Sequence, residues 1–254
     1  MRRLAPTIYI NQANLCYHDV LLFENLNLTL PAGKWTCLLG PSGVGKTSLL
    51  RLVAGLTSDA RTKNPIQTSD GMPLNGRLAY MAQQDLLLPW CSVLDNVLIG
   101  ARLRGEKKHL THLRERAYHL LQKVGLTNAI DKKPAELSGG MRQRVVLVRT
   151  LLQDCTVVLM DEPFAALDMV ARLHLQALAA ELLAQCTVLL VTHDPLEALR
   201  LGDHIYVMAG LPAQLSEPLQ LTGKAPRSPA DPEVLALQGE LLNRLAAARE
   251  IMPC

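Results

Sequence analysis

The sequence has no strong charge of either sign. Its 26 lysines and arginines stand against 23 aspartates and glutamates, a formal +3 over 254 residues, too weak a field to predict a nucleic-acid partner. It also lacks paired cysteine spacing: Cys16, Cys37, Cys91, Cys155, Cys186 and Cys254 form no CxxC and no metal-ligand pattern. Several fall in apolar runs that read as buried strands, so free thiols of a reducing cytosol are expected rather than disulfides or zinc. No run of about 18 uncharged apolar residues occurs, and MRRLAPTIYINQ has no apolar core of a secretory signal. The chain is not expected to span a bilayer by itself. Internal repeats and sustained heptads are missing too, which excludes a solenoid or a long coiled coil.

What is present is an alternation of short apolar strands and amphipathic helices. From Ile8 to Leu30 apolar and polar residues alternate, with Leu26, Leu28 and Leu30 on one face, which predicts an antiparallel β-rich edge. Trp35 to Leu39 is a continuous apolar run. It ends in a glycine-rich turn and is followed from Thr47 by leucines at helical spacing. Thr57 to Gly76 reads as exposed turns or a small hairpin, and Arg77 to Ala82 as a strand. From Gln84 to Ser138 the pattern turns helical, with Leu113, Ala117, Leu120, Leu121 and Val124 on one face and Gly125 placed for a left-handed cap. Strands Val157 to Met160, Thr187 to Val191 and Ile205 to Met208 then alternate with helices, as in a parallel sheet covered on both faces. The tail from Thr222 to Pro232 reads as a linker, and Leu235 to Ile251 as a terminal helix.

Three segments carry chemistry. Gly40-Pro-Ser42-Gly43-Val-Gly45-Lys46-Thr47 matches GxxxxGK[ST] between a buried strand and a helix start. Glycines there let backbone N–H groups curl around phosphate oxygens, the helix end adds partial positive charge, Lys46 reaches the β- and γ-phosphates, and Thr47 offers a hydroxyl to Mg2+. Val157-Val-Leu-Met-Asp161-Glu162 delivers two carboxylates at a strand end, where open α/β sheets bind ligands. Strand alternation predicts that they diverge, Asp161 toward the metal and Glu162 toward the γ-phosphate as general base. Together these predict a P-loop nucleotidase, a class that also holds kinases, GTPases and motors.

Leu137-Ser138-Gly139-Gly140-Met-Arg-Gln-Arg144 narrows it. A serine and two glycines before an apolar helix make a second anion-binding helix end. Two such ends in one chain are reconciled by a twofold dimer in which each closes on the other copy's nucleotide. This segment, at this distance before the acidic strand, resembles the signature of the ABC ATPase family, and the likeness covers about Leu15 to Leu215.

The resemblance implies an α/β fold: a P-loop core with a mostly parallel sheet and antiparallel β subdomain (1–83 and 139–221), an inserted helical subdomain (84–138), and a linker and terminal helix (222–254). It implies ATP and Mg2+ as ligands. Tyr17 is then the adenine-stacking aromatic, and Ser48 joins Ser42 and the loop glycines in the nucleotide cradle. Gln83, favoured over Gln84 by counting back from Pro89-Trp90, senses Mg2+ and the γ-phosphate. Asp168 sits in the loop that crosses the dimer, and His193 is the switch histidine at a strand end.

The implied partners are a second copy, a permease received near Gln83 to Val97, and indirectly a substrate-binding protein, on the cytoplasmic face of the membrane. Leu86-Leu-Leu-Pro-Trp90 followed by Ser92-Val-Leu-Asp-Asn-Val97 is similar to ATPases of nitrate, sulfonate, taurine and pyrimidine-precursor importers. That string weighs against an exporter ATPase, and a single motif set without heptads weighs against a soluble cassette acting on DNA or ribosomes. Three features depart from the family. Ser58 to Leu74 lacks the usual glycine-rich hairpin, no regulatory β-domain follows, and Val148-Arg-Thr-Leu151 replaces a more alanine-rich helix, a change expected to alter packing rather than chemistry.

Overall fold

The computed structural model describes residues 4–17, 20–57, 65–105 and 110–251. The residues of the expected turn region at 58–64, the first three residues and Cys254 lie outside them.

Two sheets form. Strands β1 (Ile8–Tyr17), β2 (Val20–Leu30) and β4 (Ile66–Thr68) make an antiparallel sheet in the order β2-β1-β4. Leu26, Leu28 and Leu30 are buried while the residues between them face outward, as a period of two requires. The second sheet runs β10-β8-β3-β7-β6-β5, built from β3 (Trp35–Leu39), β5 (Leu78–Met81), β6 (Val157–Asp161), β7 (Thr187–Val191), β8 (His204–Ala209) and β10 (Leu219–Gln220), with β9 (Gln214–Leu215) paired to β8. Pairings from β8 through β5 are parallel.

Helices cover both faces of this sheet. Alternation sends Leu38, Val157, Leu159, Leu189 and Val191 to one side, against α1 (Lys46–Val53) and the small sheet. Cys37, Leu39, Val158, Met160, Val188 and Leu190 point to the other, against α4 (Gly139–Leu152), α5 (Met169–Leu182), α6 (Pro195–Leu201) and α7 (Pro232–Glu250). Every residue of β3, β6 and β7 is buried, which is why these strands read as unbroken apolar runs. Each large side chain so buried contributes roughly 1.5–3 kcal/mol.

Between β5 and α4 lie α2 (Val93–Leu103) and α3 (Leu110–Lys123), with 3-10 turns at Thr127–Ala129 and Pro134–Glu136. Ala117, Leu120 and Leu121 form the buried face of α3 predicted from spacing, and Gly125 follows with a φ of 70°.

The stretch after Leu221 differs from a loose linker. Arg227 is only 4% exposed, and its guanidinium donates to the carbonyls of Thr222, Leu199, Gly202, Leu221 and Gly223. Proline content signalled the loss of regular structure, but one arginine spends its donors pinning the loop to α6 before α7 begins. Those bonds satisfy five backbone carbonyls at once.

Candidate active site

Four neighbouring parallel strands, β3, β7, β6 and β5, end at one edge of the sheet, and each delivers a candidate side chain there. From β3 comes the glycine loop. Gly40 has a φ of 149°, and a Cβ on it would lie 2.3 Å from the Met208 carbonyl oxygen on β8, so no side chain fits. Val44, fully buried, anchors the loop, while Ser42 and Gly43 are exposed and Ser48 is half-buried on α1.

α1 starts at Lys46 after Gly45 (φ 107°), with no side chain capping its first turn and no acidic residue in it. Its leading N–H groups therefore keep their donors for an anion. Lys46 Nζ donates to the carbonyls of Gly40 (2.8 Å) and Pro41 (2.7 Å), so the ammonium sits in the mouth of the loop. Burial lowers its pKa, an effect opposed by Glu162 and Asp161.

The strand β6 ends at Asp161. The Thr47 hydroxyl donates to Asp161 Oδ2 at 2.8 Å, and burial raises the Asp161 pKa. A hydroxyl and a carboxylate side by side form an oxygen-only pair, the chemistry a hard cation such as Mg2+ takes.

Glu162 is separated from Asp161 by more than strand alternation. Its backbone is left-handed, with a φ of 50°, a conformation costly for a residue with a side chain. Bonds on both sides hold it there: its N–H donates to the Val191 carbonyl (2.9 Å) and its own carbonyl accepts from Gln143 Nε2 (2.9 Å). The carboxylate thereby turns toward Gln83, whose Nε2 donates to Glu162 Oε2 (3.3 Å), and toward His193, whose Nδ1 lies 3.4 Å from the same oxygen. Gln83, Glu162 and His193 converge. The cluster opens on a cleft of about 530 Å³ lined also by Gly139, Arg142 and Gln143. By its chemistry the edge offers an anion cradle, an oxygen pair for a cation and a carboxylate flanked by two groups able to orient water.

Of the remaining candidates, Gly139 lines the same cleft as Gln83 and Glu162. Ser138 caps α4, its hydroxyl accepting from the Met141 N–H (3.2 Å), and Ser138 and Gly139 are exposed. Gly140 packs so closely that a Cβ would lie 3.1 Å from the Ala166 carbonyl. Asp168 is exposed and caps α5 by accepting from the Ala171 N–H (2.9 Å). Tyr17 lies 57% exposed at the end of β1. Within the candidate permease segment Leu86 and Trp90 are exposed, whereas Leu87 is buried.

Motif reading missed three residues that tie these parts together. Gln143 bridges the Glu162 carbonyl and the Ala166 N–H (2.9 and 2.8 Å). Arg142 pairs with Asp85 (2.9 Å), and Arg149 donates to the carbonyls of Asp85 (2.8 Å) and Leu86 (3.0 Å). All three face two residues or fewer of the segment after Gln83, or the turn after Glu162. All stood inside quoted motif segments, but contact across sequence separations of 19 to 64 residues leaves no local pattern.

Comparison with known proteins agrees with this geometry. The ABC transporter family model matches residues 23–165. An ABC transporter ATP-binding protein of Haemophilus influenzae is 43% identical over 94% of this chain and 98% of its own length. The aliphatic sulfonates import ATP-binding protein SsuB 1 of Rhodococcus jostii is 41% identical over 91% and 90%. Among solved structures, a dimeric bacterial ABC transporter cassette and the same cassette in a post-hydrolysis state with ADP and Pi each share 25% identity, with a TM-score of 0.71 over 85% of this chain and 99% of theirs. Motif, fold and relatives converge on one assignment: this chain belongs to the ABC transporter family, as an ATP-binding, ATP-hydrolysing cassette.

Proposed function

We propose that the chain is the ATPase subunit of an importer and works as one half of a dimer of two identical copies. The observation that carries the reading is the convergence of Gln83 and His193 on Glu162 beside the Thr47–Asp161 pair and the uncapped start of α1.

In this reading the loop Gly40 to Gly45, Ser42 included, and the first turn of α1 with Ser48 cradle the phosphates, Lys46 releases its carbonyl partners for the β- and γ-oxygens, and Tyr17 stacks on adenine. Thr47, Asp161 and the Gln83 amide oxygen hold Mg2+, which when bound neutralises phosphate charge. Glu162 accepts a proton from the attacking water, and Gln83 and His193 orient that water and the γ-phosphate. Ser138, Gly139 and Gly140 of a second copy close the site, with Asp168 at the crossing. Exposed Met169 and Val170, directly after Asp168, support burial against a partner.

Hydrolysis removes the shared γ-phosphate contacts and reopens the pair. Among the described residues no helix is long and apolar enough to cross a membrane, so the motion is passed to a permease. Its loop docks near Gln83 to Val97, where Trp90 is 70% exposed. The chain then works on the cytoplasmic face, fed indirectly by a substrate-binding protein. The sulfonate-importer relatives support an organic sulfonate as cargo. The test is sulfonate uptake in cells lacking this chain. Wild type restores it and Lys46→Ala does not; uptake indifferent to both rejects an organic sulfonate as the cargo.

A further inference from the structure

Behind the reacting end lies a half-buried guanidinium that this hydrolysis scheme, on which the inference rests, does not use. Arg172 on α5 donates from Nη2 to the Leu167 carbonyl (3.1 Å), one residue before Asp168, and from Nη1 to Asp194 Oδ2 (3.1 Å), one residue after His193. A single guanidinium thus holds two turns from different parts of the sheet edge. Asp194 spends its other oxygen capping α6, accepting from the N–H groups of Leu196 (2.9 Å) and Glu197 (3.3 Å), and its own N–H donates to the Thr192 hydroxyl (3.0 Å). His193, flanked by two bonded residues, sits in a turn anchored on either side.

Glu197 supports that turn from below. It is 4% exposed, and its Oε2 accepts from Gln176 Nε2 (3.2 Å). Gln176 accepts from Arg200, which in turn donates to the Arg227 carbonyl (3.1 Å), so the far end of the chain of bonds is fixed in the interior. Two buried atoms, Glu197 Oε1 and Arg172 Nε, have no hydrogen-bond partner, while the Thr192 hydroxyl lies near enough to the Glu197 carboxyl to oppose the rise in its pKa. Both residues line one cavity of about 10 Å³ that Glu162, Thr192 and His193 also line, room for a single water between them. Burying the Glu197 carboxyl and the Nε of a guanidinium, each with bonding capacity to spare, is costlier than packing apolar side chains there. Such a cost persists where the charges hold something in place.

We infer that Arg172 and Glu197 are positioning residues for hydrolysis: through Asp194 and Thr192 they hold the His193 turn against Glu162 and lock it to the turn preceding Asp168. Engagement of Asp168 by a second copy is thereby felt at the γ-phosphate end of the same chain.

The test measures turnover at saturating ATP beside nucleotide affinity in the full chain. Arg172→Met and Glu197→Ala each lower turnover about tenfold with affinity within about twofold, and Glu197→Gln, which keeps an acceptor for Gln176, recovers most of the loss. Because both act on one turn, the double variant falls no more than about threefold below the weaker single. Wild-type turnover in either single variant overturns the inference, as does an equal loss of affinity or a double variant in which the two losses multiply. Should Glu197→Ala fail to fold, Thr192→Val replaces it: a comparable fall supports the role and full turnover rejects it. His193→Ala separates the two readings. If it turns over like wild type, the role of His193 falls and this inference with it; if it is slow while Arg172→Met is not, only the positioning role is lost.

Discussion

Two helix N-termini in this chain look alike in sequence and differ in what they have left to give. At α1 the preceding residue is a glycine without a side chain to cap the helix, no carboxylate lies in the first turn, and a buried lysine faces the loop. At α4 the serine already caps its own helix through the Met141 N–H, and the nearest guanidinium, Arg142, is committed to Asp85. The first end has unspent donors and a cation; the second has spent part of both. A triphosphate can therefore be held by α1 alone, while α4 is suited to a secondary contact that matters once nucleotide is bound. On the proposed reading, affinity belongs to one end and closure to the other.

Glu162→Gln gives the sharpest separation of the two. It removes the base and leaves both helix ends intact, so turnover should fall by about a thousandfold while ATP binding survives and a nucleotide-loaded dimer accumulates. Size-exclusion chromatography with ATP reads the dimer. Hydrolysis near wild type in that variant would take Glu162 out of its role.

Lys46→Ala attacks the first end. Losing a charge-assisted contact to phosphate should weaken ATP affinity by roughly a hundredfold, measured by nucleotide titration of the monomer. Ser138→Arg attacks the second: a bulky cation in place of the cap should prevent dimerisation and cut turnover by about thirtyfold, with monomer affinity within about threefold. Equal affinity losses in the two variants would erase the distinction. Gln143→Leu has a smaller reach. It cuts the bridge from α4 to the Glu162 carbonyl and the Ala166 N–H, so the left-handed Glu162 loses one of its two restraints, and turnover should fall about fivefold with dimerisation kept.

The difference between the ends was half legible in the sequence. GxxxxGK[ST] after an apolar run is a local pattern with a local mechanism, and Gly40, Lys46 and Thr47 lie where that pattern implies. The strands β3, β6 and β7 were legible for a similar reason, since burial on both faces leaves them apolar apart from Thr36, Thr187 and the terminal Asp161. What could not be read was who restrains whom across the chain. The divergence of Asp161 and Glu162 was expected from alternation, yet it arises from a positive φ held by Val191 and Gln143. Arg227 stood in a stretch that composition marks as linker, and only the carbonyls it meets reveal it as an anchor. Such bonds depend on residues far apart in sequence, where neither period nor propensity carries information.

A third helix N-terminus, that of α6, tests whether spent and unspent ends are a real division. Here the positive end is filled internally, by the Asp194 cap and by Glu197 in the first turn. Burial pushes Glu197 up to about 7, with Asp194 adding to the rise and Thr192, Gln176 and Arg172 opposing it. Arg200 on α6 itself, Cys37 on β3, and Glu162 and His193 across the small shared cavity are the other charged or titratable groups facing it among the described residues. A carboxyl that holds its proton more tightly when folded than when unfolded favours the folded state most below the usual carboxylate range. That advantage is lost as pH rises toward and through about 7. Glu197→Gln cannot titrate, so the gap between wild-type and variant melting temperatures should move against wild type by about 5 °C between pH 5 and pH 8, while shifts from groups common to both, Asp161 among them, cancel. If the gap is instead constant across that range, the α6 end holds its carboxylate at no cost, and an internally filled helix end would be no different in kind from the open one at α1.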